Sequence, residues 1–165
     1  MLPALLAPVA LGPLRLPSRV VSTSHQTGLV EGHVPTEDLV AYHAARARGG
    51  VGAIFLEATA VHPTGLLTAH TIGGWLAEVV PAFRRLADAV HHGGAGLLVQ
   101  LFHGGREQID SAPRAPAVAP SAVPSPRFKS EPRALTGREI RDLLEGYALA
   151  ARRAREGGLD GVEVS

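Results

Sequence analysis

The chain has 165 residues, 45% apolar and 19% charged, and its 16 basic and 15 acidic side chains leave a net charge of +1. This is globular composition at single-domain length, and it excludes disorder, a nucleic-acid surface and a polybasic membrane patch. The absence of cysteine excludes disulfides, thiolate metal ligands, iron–sulfur clusters and a thiol nucleophile. No apolar run approaches the ~18 residues of a membrane span. The stretch from Met1 to Leu16 is broken by Pro3, Pro8 and Pro13 and lacks a basic start, so it does not read as a signal peptide. A cytoplasmic protein with no membrane partner is expected.

In chain order, Val9 to Leu16 alternates around Gly12-Pro13 and predicts a small hairpin, and Arg19 to Thr23 predicts a first strand. Thr36 before Glu37 and Asp38 is an N-cap followed by acids that suit the helix dipole. That helix ends at Gly49-Gly50 and leads into an apolar run, Val51 to Leu56. Pro81 fits the first turn of a second helix carrying Phe83, Leu86, Ala87 and Val90. Gly93-Gly94 closes it, and the run from Ala95 to Leu101 follows. The insert from Gly104 to Leu135 holds six of the 13 prolines and no periodicity, so it reads as a long loop on the functional face. Thr136 and Glu139 have capping-box spacing at the head of a third helix. Its apolar face is Ile140, Leu143, Leu144, Tyr147, Ala151 and Ala154, and Gly157-Gly158 leads into a last strand, Leu159 to Val164.

Strands and helices alternate, which means an α/β fold with a parallel sheet and right-handed crossovers: about four parallel strands, three helices and a short amino-terminal hairpin. Such folds build their sites at the carboxyl ends of the strands. Here each strand turns polar at that end: Ser22 to Thr27, Glu57-Ala58-Thr59, Gln100 to Arg106, and Glu163-Val164-Ser165. Gln100 and Glu163 fall inside apolar runs, where an unpaired amide or carboxylate is costly, so both need partners. Glu57 and Glu163 are expected to pair with Arg106 or another buried base, and His91-His92 to be solvated. Amides and hydroxyls converging on one rim suit a flat, hydrogen-bonding heterocycle.

Other chemistries fit less well. Ser24-His25-Gln26 offers one histidine where a metal-dependent barrel hydrolase wants an H-x-H pair, and no metal site is expected. No G-x-G-x-x-G opens a helix after a strand, and no G-x-S-x-G elbow is present. The only lysine, Lys129, lies in the proline-rich insert, which disfavours a Schiff-base lyase.

The ordered motifs resemble the old yellow enzyme family, the NADH:flavin oxidoreductases that include 2,4-dienoyl-CoA reductases. The resemblance rests on Leu16-Pro17-Ser18-Arg19-Val20-Val21, the run Glu57 to Gly65, the run Val99 to Arg106, Ala119-Pro120-Ser121, and Leu159 to Val164. The stretches Ser22 to Thr27 and Gln100 to Arg106 are similar to a mycofactocin-associated branch of that family. The resemblance implies a (β/α)8 TIM barrel with noncovalent FMN at its carboxyl rim and NAD(P)H as reductant. Hydride would pass through the flavin to an activated C=C or related small-molecule acceptor. It implies that Thr23, Ser24 and His25 lie along the flavin edge with backbone contacts. Gln26 falls where relatives carry a Thr or Cys that tunes the flavin. Ala58 would offer its backbone N–H to the ring, and Gln100 would read the pyrimidine side. Many relatives have Pro-Met or Pro-Leu in place of Ser24-His25. After the fourth strand relatives carry a substrate-holding His, and that position here is Ser165. No catalytic residue is assigned.

A (β/α)8 barrel takes about 250 residues. The chain is therefore expected to be one domain, residues 1–165, forming the amino-terminal half of such a barrel and truncated at the rim of its fourth strand. The expected partners are the remaining half-barrel or a second copy joined through the open sheet edges. The alternative expectation is a noncatalytic fragment that cannot hold FMN alone.

Overall fold

The computed structural model describes residues 3–109 and 116–165, so residues 110–115 of the proline-rich insert lie outside the described residues. The chain opens with β1 (Val9–Leu11) and β2 (Leu14–Leu16), the expected antiparallel hairpin. After β3 (Val21–Ser22) comes a second antiparallel hairpin, β4 (Val30–Glu31) and β5 (Val34–Pro35). Its turn residues Gly32 and His33 both have positive φ, 55° and 65°, the conformation that matches the twist of paired strands.

Helix α1 (Glu37–Arg48) begins where Thr36 accepts the Leu39 N–H at 3.4 Å. Strand β6 (Ala53–Ala60) follows, then the short β7 (Ile72–Gly73), α2 (Val79–His92) and β8 (Gly96–Phe102). The insert is more ordered than its composition predicts. Within it β9 (Val118–Ala119) pairs in parallel with β10 (Arg133–Ala134), and Ala117, Val118 and Ala119 are buried. Helix α3 (Gly137–Glu156) carries the full Thr136–Glu139 capping box and leads into β11 (Gly161–Val164). Each helix stops at its Gly-Gly pair, and the second glycine takes the left-handed turn, with φ of 90°, 85° and 83° at Gly50, Gly94 and Gly158.

The main sheet is parallel in the order β11-β8-β6-β3, with β7 pairing the carboxyl end of β6. Its outer face, Ile54, Leu56, Leu97, Val99 and Leu101, packs under Leu39 of α1, Phe83, Leu86 and Val90 of α2, and Ala150 and Ala154 of α3. On the inner face Leu16 of the first hairpin joins Ala53, Leu98 and Phe55, covering the amino ends of the strands. The opposite, carboxyl rim is left for the loops. Among the described residues β3 pairs only with β6 and β11 only with β8, so the sheet has two open edges, where Val20, Val21, Val162 and Val164 are exposed. Four parallel strands under three helices, closed below by a hairpin, are the amino-terminal half of a (β/α)8 barrel.

One packing expectation fails in part. Ile140 and Leu144 of the α3 apolar face are 45% and 63% exposed, whereas Ala150 and Ala154 are buried. A helix of 20 residues is about 30 Å long, and its first turns extend past the sheet contact made by its second half.

Candidate functional site

The rim is shaped first by an irregularity in β6. Leu56 is the register partner of Val99 and Thr59 that of Leu101, so β6 spends one more residue than β8 over the same span. This is a β-bulge at Glu57-Ala58, the kind of feature that re-aims side chains beside binding sites. Neither residue has a register partner in β3, β7 or β8. The Ala58 peptide therefore leaves the ladder at the sheet's carboxyl end, and Ala58 itself packs beside Ala60, Leu66 and Phe102.

The segment after β3 is held by three successive side chains, each bonded elsewhere. The His25 ring turns outward, with Nδ1 3.0 Å from the Thr23 carbonyl and Nε2 2.5 Å from the Tyr42 hydroxyl on α1. Gln26 donates through Nε2 to Thr68 Oγ1 at 2.5 Å. Thr27 donates its hydroxyl to Glu57 Oε2 at 2.5 Å and its backbone N–H to the same oxygen at 3.2 Å. Glu57 is buried at 2% exposure and its Oε1 has no partner among the described residues. Burial pushes its carboxyl above the ordinary value of 4.5, against the opposing pull of the Thr27 bonds and of His25 and His70. The ion pair expected with Arg106 does not form: Arg106 donates to the Pro124 carbonyl at 3.3 Å and lies 4.0 Å from Glu107.

Across β8 and β11 the register pair Gln100 and Glu163 is joined by a bond from Gln100 Nε2 to Glu163 Oε1 at 2.7 Å. Glu163 thus finds an amide, again in place of Arg106. Ser165 continues this edge, its N–H donating to the Leu101 carbonyl at 2.9 Å, and it is exposed at the rim. At the far end of the sheet, His91 is bonded to Asp160 at 2.8 Å rather than simply solvated.

A second rim network joins His62, Thr64 and His103. Gly105 N–H donates to His103 Nδ1 at 3.0 Å, so His103 carries its proton on Nε2 and donates to Thr64 Oγ1, also at 3.0 Å. The Thr64 hydroxyl is then free to donate to His62 Nδ1 at 2.7 Å. Burial, with His62 nearby, lowers His103 to about 4. His62-x-Thr64 and His103 are visible in the sequence, but they lie 39 positions apart, and only the fold joins them.

The structure thus brings Gln100 to Glu163 and His25 to Thr23, and sends Gln26 to a neighbouring loop. Tying the 25–27 side chains into the protein leaves the backbone open. The N–H groups of Ser24, His25 and Gln26 meet no acceptor among the described residues. With the off-ladder Ala58 peptide and the Gln100 amide, the rim offers several donors and one amide acceptor. That set fits the edge of a flat heterocycle bearing carbonyl oxygens and ring nitrogens, and FMN has such an edge.

Residues 4–165 match the model of the NADH:flavin oxidoreductase / NADH oxidase family. The chain belongs to this family. It is 37% identical to an NADPH dehydrogenase of Listeria monocytogenes over 131 residues, 79% of this chain and 38% of that protein. It is 36% identical to a multifunctional alkene reductase/demethylase of Caballeronia cordobensis over 161 residues, 96% of this chain and 24% of that one. Among solved structures, morphinone reductase in complex with tetrahydroNAD superimposes with a TM-score of 0.88 at 32% identity, covering 98% of this chain and 49% of the reductase. An old yellow enzyme homologue from Zymomonas mobilis gives 0.85 at 32% identity, covering 98% and 48%. The old yellow enzyme resemblance and the half-barrel both stand: the chain spans about half of these solved structures and a smaller share of the curated relatives.

Proposed function

We propose that the chain is the flavin-facing amino-terminal half of an FMN-dependent NAD(P)H oxidoreductase whose acceptor is an activated C=C or related small molecule. Residues 1–165 form one domain in this reading, and strands of a second half-barrel pair with the open edges of β3 and β11. The observation that carries the reading is the rim itself, where open backbone donors, the bulged Ala58 peptide and the Gln100 amide share one end of the sheet. Thr23, Ser24 and His25 would line the cofactor with their backbone, Gln26 and Ala58 would hold its edge, and Gln100 would pair with its pyrimidine. When bound, FMN supplies the hydride transfer. The chain's own share is to orient the ring and keep its hydrogen-bonding edge satisfied. Glu163 fixes the Gln100 amide so that one orientation is presented. Ser165 stands where the acceptor's electronegative group would be held. The relatives named for NADPH dehydrogenation and the tetrahydroNAD complex support the choice of reductant.

The test is reconstitution. Co-expressed with the carboxyl-terminal half-barrel of an old yellow enzyme relative, the chain should give a yellow complex that NADPH bleaches. A colourless, well-folded complex would contradict the reading.

A further inference from the structure

The His25 ring is fixed in one tautomer. The Thr23 carbonyl, 3.0 Å from Nδ1, can only accept, so Nδ1 carries the proton. Nε2 is then an acceptor, and the Tyr42 hydroxyl 2.5 Å away must donate to it. The rest of the cluster enforces that direction. Arg46 donates from its guanidinium to the Tyr42 hydroxyl oxygen, so the hydroxyl proton is turned toward His25. The Arg46 guanidinium carbon also lies 3.4 Å from the centre of the Tyr42 ring, which holds the tyrosine from its face. All three side chains sit on the α1 side of the segment.

A peptide unit is planar and trans, so its C=O and N–H point in opposite directions. Holding the Thr23 carbonyl toward the His25 ring on the α1 side turns the Ser24 N–H away from α1, and that N–H meets no acceptor among the described residues.

We propose that His25, Tyr42 and Arg46 form a clamp on the outside of the barrel that pins the Thr23–Ser24 peptide and presents the Ser24 N–H at the rim as an additional hydrogen-bond donor to an acceptor atom of the bound heterocycle. The nature of the heterocycle rests on the FMN reading above, whereas the clamp is a property of the chain alone. His25, Tyr42 and Arg46 are positioning residues, and Ser24 supplies the contact through its backbone.

The experiment uses two readouts on the 165-residue chain and its Tyr42→Phe variant, with circular dichroism to check that the fold is kept. Long-range 15N–1H correlation at neutral pH reports the His25 tautomer. The wild-type ring should carry its proton on Nδ1. In Tyr42→Phe, with the hydroxyl donor gone, the Nε2–H form common in solution should gain population. An Nε2–H ring in the wild type, or an unchanged tautomer in the variant, overturns the clamp. If Tyr42→Phe does not fold, Arg46→Met is the second variant, with the same shift expected in smaller measure. FMN titration of the 15N-labelled chain in complex with the carboxyl-terminal half-barrel of an old yellow enzyme relative, followed by amide shifts, is the second readout. The Ser24 N–H should move in the wild type and several-fold less in the variant, and an equal response in both overturns the donor role. If the wild type takes up no FMN while its tautomer is as stated, the cofactor reading fails and the pinned peptide stands. The reverse result leaves the cofactor and removes the clamp.

Discussion

Gln100 on β8 donates through Nε2 to Oε1 of Glu163 on β11, 2.7 Å away, and the two are register partners in adjacent parallel strands. One strand's carboxylate thus fixes the orientation of the next strand's amide at the mouth of the sheet. Removing one partner of a shielded bond costs more than the bond contributes, because the other is left unpaired. Glu163→Ala should lower unfolding stability by about 1 kcal/mol. Glu163→Gln, which still offers a carbonyl oxygen, should stay within ~0.5 kcal/mol of the wild type. Urea denaturation measures both, and equal losses would show that the bond does not hold Gln100.

Glu57 is a buried carboxyl with one oxygen serving Thr27 and the other without a partner among the described residues. Its raised value means the folded state holds the proton more tightly than the unfolded chain. The stabilisation is complete below the ordinary carboxylate value and is lost as pH rises through the raised one. Glu57→Gln keeps an acceptor for Thr27 and carries no charge. It should therefore be at least as stable as the wild type at neutral pH, with the gap narrowing on acidification. Denaturation midpoints across a pH series test this, and a wild type that gains on the variant as pH rises would contradict it.

His43 on α1 is 1% exposed, and neither ring nitrogen has a hydrogen-bond partner among the described residues. Burial, and then the charges of Arg46 and His25, lower it from 6.5 to about 4. A depressed histidine contributes stability that is present above its unfolded value and is lost as pH falls. The window here runs from 6.5 down to about 4, and His103 adds a loss over the same range. His43→Leu removes two unpaired polar atoms and should raise stability at neutral pH by about 1 kcal/mol. It should also flatten, without abolishing, the decline on acidification. An unchanged pH slope would count against this account of His43.

Gly52, just before β6, approaches the neighbouring chain so closely that a Cβ would lie 2.1 Å from the Ser18 carbonyl oxygen. Its own N–H donates to the Val20 carbonyl at 2.8 Å, so the backbone cannot retreat without losing that bond. Gly52→Ala should cost about 3 kcal/mol in unfolding stability. A near-neutral result by thermal denaturation would show that the β3–β6 junction is looser than described.

Local signals carried much of the fold. Thr36 and the Thr136–Glu139 box set the starts of α1 and α3, and the three Gly-Gly stops set all three helix ends, because caps are short-range chemistry written in adjacent positions; α2, which has no side-chain cap, was placed by Pro81 in its first turn. The β4–β5 hairpin also had its signal, a Gly32-His33 pair between Val30-Glu31 and Val34-Pro35, but without the usual Asn-Gly or Asp-Gly it did not stand out. The β6 bulge had none. Glu57-Ala58-Thr59-Ala60 contains no glycine, and the extra residue appears only when β8 is laid beside it. Candidate site positions were legible as polar ends of apolar runs, but their partners were not. Thr27 and Glu57 are 30 positions apart, and Gln100 and Glu163 are 63 apart. Arg106 was the obvious cation on charge alone, yet the insert draws its guanidinium to the Pro124 carbonyl.

This half-barrel is proposed to contribute one continuous cofactor edge. FMN titrated into the 15N-labelled chain, reconstituted with the carboxyl-terminal half-barrel of an old yellow enzyme relative, reads that edge directly, through the backbone amides of Ser24 and Ala58 and the side-chain amide of Gln100. The three should shift together and saturate at one FMN concentration, with Gln100→Leu weakening the response at the other two. Saturable shifts confined to residues away from the rim, or none at any of the three, would contradict the claim.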